Sequence, residues 1–180
     1  MIVDESDCAL LIVDVQSKLV DKINNKNEII ANINKAKSAF NILNLPILIS
    51  EQYPKGLGKT EKSILNDVNN YSKIEKTSFS CFRSEDFCKK LKVSNKSQII
   101  ICGIETHICI FQTAYDLSNG NYNIFVLSDC VSSINYNNHI EGLNRLRQAN
   151  INIINTEMLI FDILKDSKHK NFKELSSLIK

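Results

Sequence analysis

The sequence predicts an α/β fold: three αβα layers with a mostly parallel, helix-covered central sheet. Three observations carry this. First, the runs 8–13 (CALLIV) and 98–102 (QIIIC) are apolar without alternation, the pattern of strands covered on both faces. Second, such runs alternate along the chain with segments of helical spacing, which places helices on the sheet faces. Third, Asp14, Glu51, Lys76, the loop around Gly103 and Asp129 all stand where a run stops. In open parallel sheets the functional crevice lies outside the carboxyl ends of the strands.

Each element has its own reason. Asp14 ends the first strand, and residues 27–44 follow with Ile29, Ile30, Ile33, Ala36, Lys37, Phe40 and Leu43 at helical spacing. Pro46 opens a second strand, 47–49, and a loop with Pro54, Gly56 and Gly58 runs on from Glu51. Thr60 or Glu61 begins a short helical segment, and residues 71–76 read as a weaker strand. Ser84 caps a helix to about residue 91, with Glu85 and Asp86 favourably placed in its first turn. Strand 98–102 and helix 107–119 come next, stopped by Gly120. Strand 122–127, ending at Asp129, precedes helix 137–148, strand 151–154 and two short helices near 156–164 and 170–179. No linker or repeat interrupts the pattern, so residues 1–180 are expected to form a single domain.

Composition narrows the function classes. The 180 residues are 43% hydrophobic, enough for a sizeable core, and the net charge is +2. Lys and Arg are mixed with Asp and Glu rather than striped, which argues against a nucleic-acid partner. No apolar run approaches the ~20 residues of a membrane span, and no signal peptide precedes the first strand. The six cysteines lack CxxC spacing, so structural zinc is not expected. Reduced thiols point to a cytoplasmic protein; mitochondrial association stays open, although no presequence is visible.

The most informative stretch is 103–109 (GIETHIC), which leads from an apolar strand into a helix. It sets Cys109 near a helix start, where unpaired N–H groups and the helix dipole favour a thiolate, so a lowered thiol pKa is expected. A cysteine nucleophile also needs a proton acceptor. Asp14, directly after a buried strand, fits that role and equally fits a helix N-cap. Lys76 is either a solvated surface lysine or a partner for Asp14 and Cys109. His139 and His169 read as surface or packing residues, and His107 as a neighbour whose side chain diverges from that of Cys109.

The segments 11–16 (LIVDVQ), 76–77 (KT) and 103–109 (GIETHIC) resemble the isochorismatase-like cysteine hydrolases. The runs 50–58 (SEQYPKGLG), 76–80 (KTSFS), 129–133 (DCVSS) and 155–157 (NTE) look closest to the isochorismatase domain-containing protein 2 branch. The resemblance covers nearly the whole chain and implies an isochorismatase-like fold. It implies a catalytic triad of Asp14, Lys76 and Cys109, and a cis peptide bond at Ile104–Glu105 that aims the backbone N–H groups of Glu105 and Cys109 at an oxyanion. It also implies a homo-oligomer.

Departures from the pattern matter as much. Nicotinamidases of this superfamily hold a divalent metal with an Asp-x-His pair ahead of a Pro. Here the run is Glu51, Gln52, Tyr53, Pro54, with Tyr53 where a His would stand, so no metal and no other cofactor is expected. True isochorismatases do not need a cysteine nucleophile, which argues against that reaction too. Gln16, Glu51, Gln52, Tyr53 and Phe79 are the expected substrate-binding residues; Phe79 and Phe82 also fit a core role. The expected function is metal-independent hydrolysis of a small amide or related acyl substrate through a Cys109 thioester. The alternative is a catalytically silent scaffold or interaction protein on the same fold.

Overall fold

Six strands form one parallel sheet in the computed structural model, which describes residues 1–68 and 70–180. They are β1 (Cys8–Val13), β2 (Ile47–Gln52), β3 (Tyr71–Lys76), β4 (Gln98–Ile104), β5 (Asn123–Ser132) and β6 (Asn152–Ile154). Their spatial order is β3-β2-β1-β4-β5-β6. The chain builds outward from β1 to β3, returns to the other side of β1 with β4, and builds outward again. The order therefore reverses between β1 and β4, and that switch point is where such sheets open a crevice.

The continuous apolar runs have a direct cause. Along β1, Cys8, Leu10 and Ile12 point into one core, and Ala9, Leu11 and Val13 into a second core on the opposite face. Side chains alternate faces with period two, so a strand covered on both sides must be apolar at every position. Each Leu or Ile buried in this way contributes about 1.5–3 kcal/mol. The first core is closed by α2 (Lys26–Ile42), α8 (Thr156–Leu164) and α9 (Phe172–Ser177). The second is closed by α5 (Glu85–Ser94), α6 (Phe111–Asn119) and α7 (Tyr136–Gln148). Short helices α1 (Ser17–Val20), α3 (Pro54–Leu57) and α4 (Lys62–Leu65) lie in the loops that follow β1 and β2. No helix among the described residues is long and apolar enough to cross a membrane.

Some boundaries move. The fifth strand continues past Asp129 to Ser132, because a register shift opposite Ile101 and Gly103 lets β5 keep pairing with β4. Asp129 consequently lies inside a strand, and its carboxylate accepts from Thr156 N at the start of α8 instead of joining the crevice. The segment after β4 is not one α-helix from residue 107: Thr106–Ile110 is a π-helical turn, and α6 starts only at Phe111. Ser84 does cap α5, its hydroxyl accepting from Phe87 N. Gly103 sits at φ +122°, and a Cβ there would stand 2.0 Å from the Val13 carbonyl oxygen. Its missing side chain is what lets β4 close on the end of β1.

Candidate active site

The carboxyl ends of β1, β2, β3 and β4 bring together residues distant in sequence. Asp14 directly follows β1 and turns out of it in the left-handed region, φ 51°. Its backbone N–H donates to the Ser50 carbonyl, so β1 and β2 stay paired through the turn. Lys76 ends β3, level with Gln52 and two residues past the pair formed by Ile74 and Ser50. From there its side chain spans β2 and reaches Asp14. The Ile104–Glu105 peptide bond is cis, and the π-helical turn after it carries Cys109.

Lys76 Nζ donates to Asp14 Oδ2 and Gln52 Oε1, each at 2.7 Å, and lies 3.1 Å from the carbonyl oxygens of Ser78 and Phe79. An ammonium has three N–H donors, so these acceptors leave none for a substrate. Both side chains of the Asp14–Lys76 pair are fully buried. Burial pushes the Lys76 pKa down, but the Asp14 carboxylate outweighs it, and the pKa is raised. The helix N-cap role for Asp14 and the solvated role for Lys76 are thereby set aside.

The expectation for Cys109 is corrected. Its thiol pKa is raised, first by burial, then by the negative charge of Asp14, with Lys76 only partly offsetting them. The residue is 7% exposed, and the Asp14 carboxylate is close enough to act on its thiol. A π-helical turn in a buried crevice therefore does not act as an open helix N-terminus, and the resting group is a thiol beside a carboxylate.

Two expected substrate contacts, Gln16 and Glu51, are corrected as well. Gln16 is fully buried: its Oε1 accepts from Gln52 N at 2.7 Å, and its Nε2 donates to the carbonyls of Gln52 at 3.0 Å and Gly58 at 2.6 Å. This amide replaces a missing rung of the β1–β2 ladder beyond Asp14. Glu51 is also buried, with Oε1 accepting from Thr60 N and Oγ1, and Oε2 2.8 Å from Lys73 Nζ. Burial works against its charge, yet Lys73 and the Thr60 donors hold the carboxyl below its ordinary range. Gln52 spends Oε1 on Lys76 and Nε2 on the Thr77 carbonyl. Gln16 and Glu51 thus clamp the loops after β1 and β2, and half-buried Gln52 anchors Lys76.

Tyr53 and Phe79 do face outward, 56% and 54% exposed, whereas Phe82 packs on the second core edge-on to Tyr122. Tyr53 lines a cavity of about 430 Å³ with Lys55, Lys76, Thr77, Ser78 and Arg83. A separate cavity of about 240 Å³, lined by Phe40, Pro46, Tyr71 and Val93, holds none of the candidate residues. His139 is not a free surface group; its Nδ1 lies 2.9 Å from Thr106 Oγ1 and ties α7 to the π-helical turn. His107 Nδ1 contacts Ser133 Oγ at 3.0 Å, away from Asp14, and His169 pairs with Glu5. Among the described residues no three His, Cys, Asp or Glu side chains converge as a metal site.

Two further neighbours of Asp14 were missed from the sequence. Ser50 Oγ donates to Asp14 Oδ1 at 2.7 Å, and Cys81 Sγ lies 3.5 Å from Ser50 Oγ. A lone polar residue closing the run 47–50 (ILIS) is the one hint that Ser50 offered.

The layered parallel α/β fold, with Asp14, Lys76 and Cys109 meeting at its switch point, defines the structural class. The isochorismatase domain matches residues 8–158, and the chain belongs to the isochorismatase family. Isochorismatase family protein 1A of Dictyostelium discoideum is 40% identical over 174 residues, covering 94% of this chain and 84% of its own. Isochorismatase domain-containing protein 2 of Danio rerio is 34% identical over 170 residues, covering 94% and 85%. A solved structure of MAR1 ribonuclease from Caenorhabditis elegans matches with a TM-score of 0.94 at 32% identity, over 99% of this chain and 92% of that one.

Proposed function

We propose that this protein is a cysteine hydrolase acting on a small amide or related acyl substrate, with Cys109 as nucleophile, Asp14 as proton acceptor and donor, and Lys76 as their fixed counter-charge. The observation that carries the reading is the fully buried Asp14–Lys76 pair at 2.7 Å, with the buried Cys109 thiol under the influence of the same two charges. Two charges taken out of water are costly, and a pair without a task is often replaceable by apolar side chains. A carboxylate beside a thiol supplies what a resting thiol lacks, a place for its proton.

In the proposed cycle, Cys109 Sγ attacks the substrate carbonyl carbon as its proton passes to Asp14. The oxyanion of the tetrahedral intermediate accepts from the backbone N–H groups of Glu105 and Cys109. Asp14 returns the proton to the leaving amine, and a thioester remains on Cys109. Water then attacks the thioester while Asp14 takes its proton, and the departing sulfur recovers that proton. Lys76 keeps one position throughout, because its donors are spent on fixed acceptors. Tyr53 and Phe79 flank the approach, and no step calls for a metal or other cofactor.

The test is a screen of small amides and acyl esters with wild type and Cys109→Ala, followed by mass mapping of any trapped adduct. Turnover by wild type alone, with the acyl group on Cys109, is the expected result. Cleavage of RNA, the activity in the name of the Caenorhabditis elegans relative, in place of amides would overturn the substrate class. No turnover together with no adduct on Cys109 would favour the silent scaffold. We further propose that the chain self-associates, as the resemblance implies; sedimentation showing only a 20.4 kDa species would count against this.

A further inference from the structure

Asp14 has two carboxylate oxygens, and the structure assigns each a separate holder. Oδ2 belongs to Lys76, whereas Oδ1 accepts from Ser50 Oγ at 2.7 Å. Ser50 in turn lies 3.5 Å from Cys81 Sγ, within reach of a thiol donor. All three residues of this chain are fully buried, so water does not compete for these bonds.

We infer that Cys81 and Ser50 form a positioning relay for Asp14: the Cys81 thiol donates to Ser50 Oγ, which forces the Ser50 hydroxyl proton onto Asp14 Oδ1 and fixes the rotation of the carboxylate toward Cys109. The relay deepens the hydrolase reading above and rests on it. The groups that face Asp14 are Ser50 from β2, Lys76 from β3, Cys81 from the turn Cys81–Arg83, and Cys109 from the π-helical turn. Among them only Ser50 holds Oδ1, and its hydroxyl is free to rotate unless something occupies the oxygen from behind. Cys81 does this. Burial pushes the Cys81 thiol up to about 11, so it stays protonated and remains a donor at neutral pH. Its position is fixed independently, since Cys81 N donates to Thr113 Oγ1 of α6 at 3.0 Å. The relay thus couples α6, the helix that extends from the Cys109 turn, to the carboxylate that serves Cys109. Cys81 touches no reacting atom, and we class it as a positioning residue.

Iodoacetamide labelling at pH 7.5 with mass mapping tests this without knowledge of the substrate. Half-exposed Cys88 is the internal reference. In wild type, Cys109 is expected to label more slowly than Cys88, in keeping with its burial and raised pKa, yet at a measurable rate, because Asp14 takes the proton. Cys81→Ala is expected to slow Cys109 about fivefold, the scale of one lost hydrogen bond. Cys81→Ser, which keeps a donor, is expected to restore the wild-type rate, a rescue that a purely packing role does not produce. Ser50→Ala, which removes the middle link, is expected to slow Cys109 at least as much as Cys81→Ala. Equal rates for wild type and Cys81→Ala, or equal slowing by Cys81→Ala and Cys81→Ser, would overturn the relay alone. No labelling of wild-type Cys109 at all would overturn the nucleophile reading and the relay with it. Melting temperatures of the variants separate misfolding from these outcomes, with Ser50→Ala as the second route if Cys81→Ala does not fold.

Discussion

Two lysines among the described residues are buried, and their surroundings differ in one respect. Lys37, on α2, is 3% exposed and donates to the carbonyls of Ser63, Ile64 and Asn66 at the end of α4. Lys76, on β3, is 5% exposed and meets two carbonyls, an amide oxygen and the Asp14 carboxylate. Burial lowers the Lys37 pKa, against only a weak opposing pull from Asp67. The same burial acts on Lys76, yet its pKa is raised by the carboxylate. Carbonyl dipoles can seat a buried ammonium; only a counter-charge makes it prefer to stay charged. Lys37 is a cap for a short helix. Lys76 is half of an ion pair at the crevice.

The sharpest way to break this comparison is to remove each ammonium. Lys76→Met leaves Asp14 buried and unpaired, and is expected to cost about 3–5 kcal/mol of stability in urea unfolding. It is also expected to suppress turnover. Lys37→Met removes a donor from three carbonyls but strands no charge. Its cost is expected near 1 kcal/mol, with turnover unchanged. Equal losses for the two variants would mean that the carboxylate adds nothing to what carbonyls supply.

A smaller effect sharpens the comparison at alkaline pH. The folded Lys76 binds its proton more tightly than the unfolded chain. Its contribution is therefore complete below the ordinary value of 10.5 and is lost as pH rises through the higher folded value. Lys37 has the opposite sign. Between its lowered folded value and 10.5 the unfolded state binds more protons, so stability rises with pH across that window. Urea midpoints from pH 8 to 11 are expected to show a rising component that Lys37→Met abolishes. A Lys37→Met curve parallel to wild type over this range would refute the assignment.

The sheet was legible because its physical cause is local. A strand buried on both faces must be apolar at each position, and 8–13 and 98–102 carry that rule in plain letters. Asp14, Lys76 and Cys109 were legible as ends of elements, since a strand end needs only a run and its stop. Gln16 and Glu51 misled because a polar residue at a strand end looks the same whether it faces a ligand or clamps a loop. Gln16 reaches the backbone of Gln52 and Gly58, and Glu51 reaches Thr60 and Lys73; none of these contacts has a sequence period.

The sequence by itself determined the layered parallel fold, the strand ends where the candidate site residues gather, and the absence of a histidine where nicotinamidases hold metal. Only the tertiary structure decided which polar residues became clamps, and that Ser50 and Cys81 stand behind Asp14. It also reversed the expected shift of the Cys109 thiol. Periodicity is a property of neighbours along the chain, whereas proton affinity is set by burial and by charges brought together in space. For Cys109 the deciding charges are Asp14 and Lys76, contributed by other strands of the sheet.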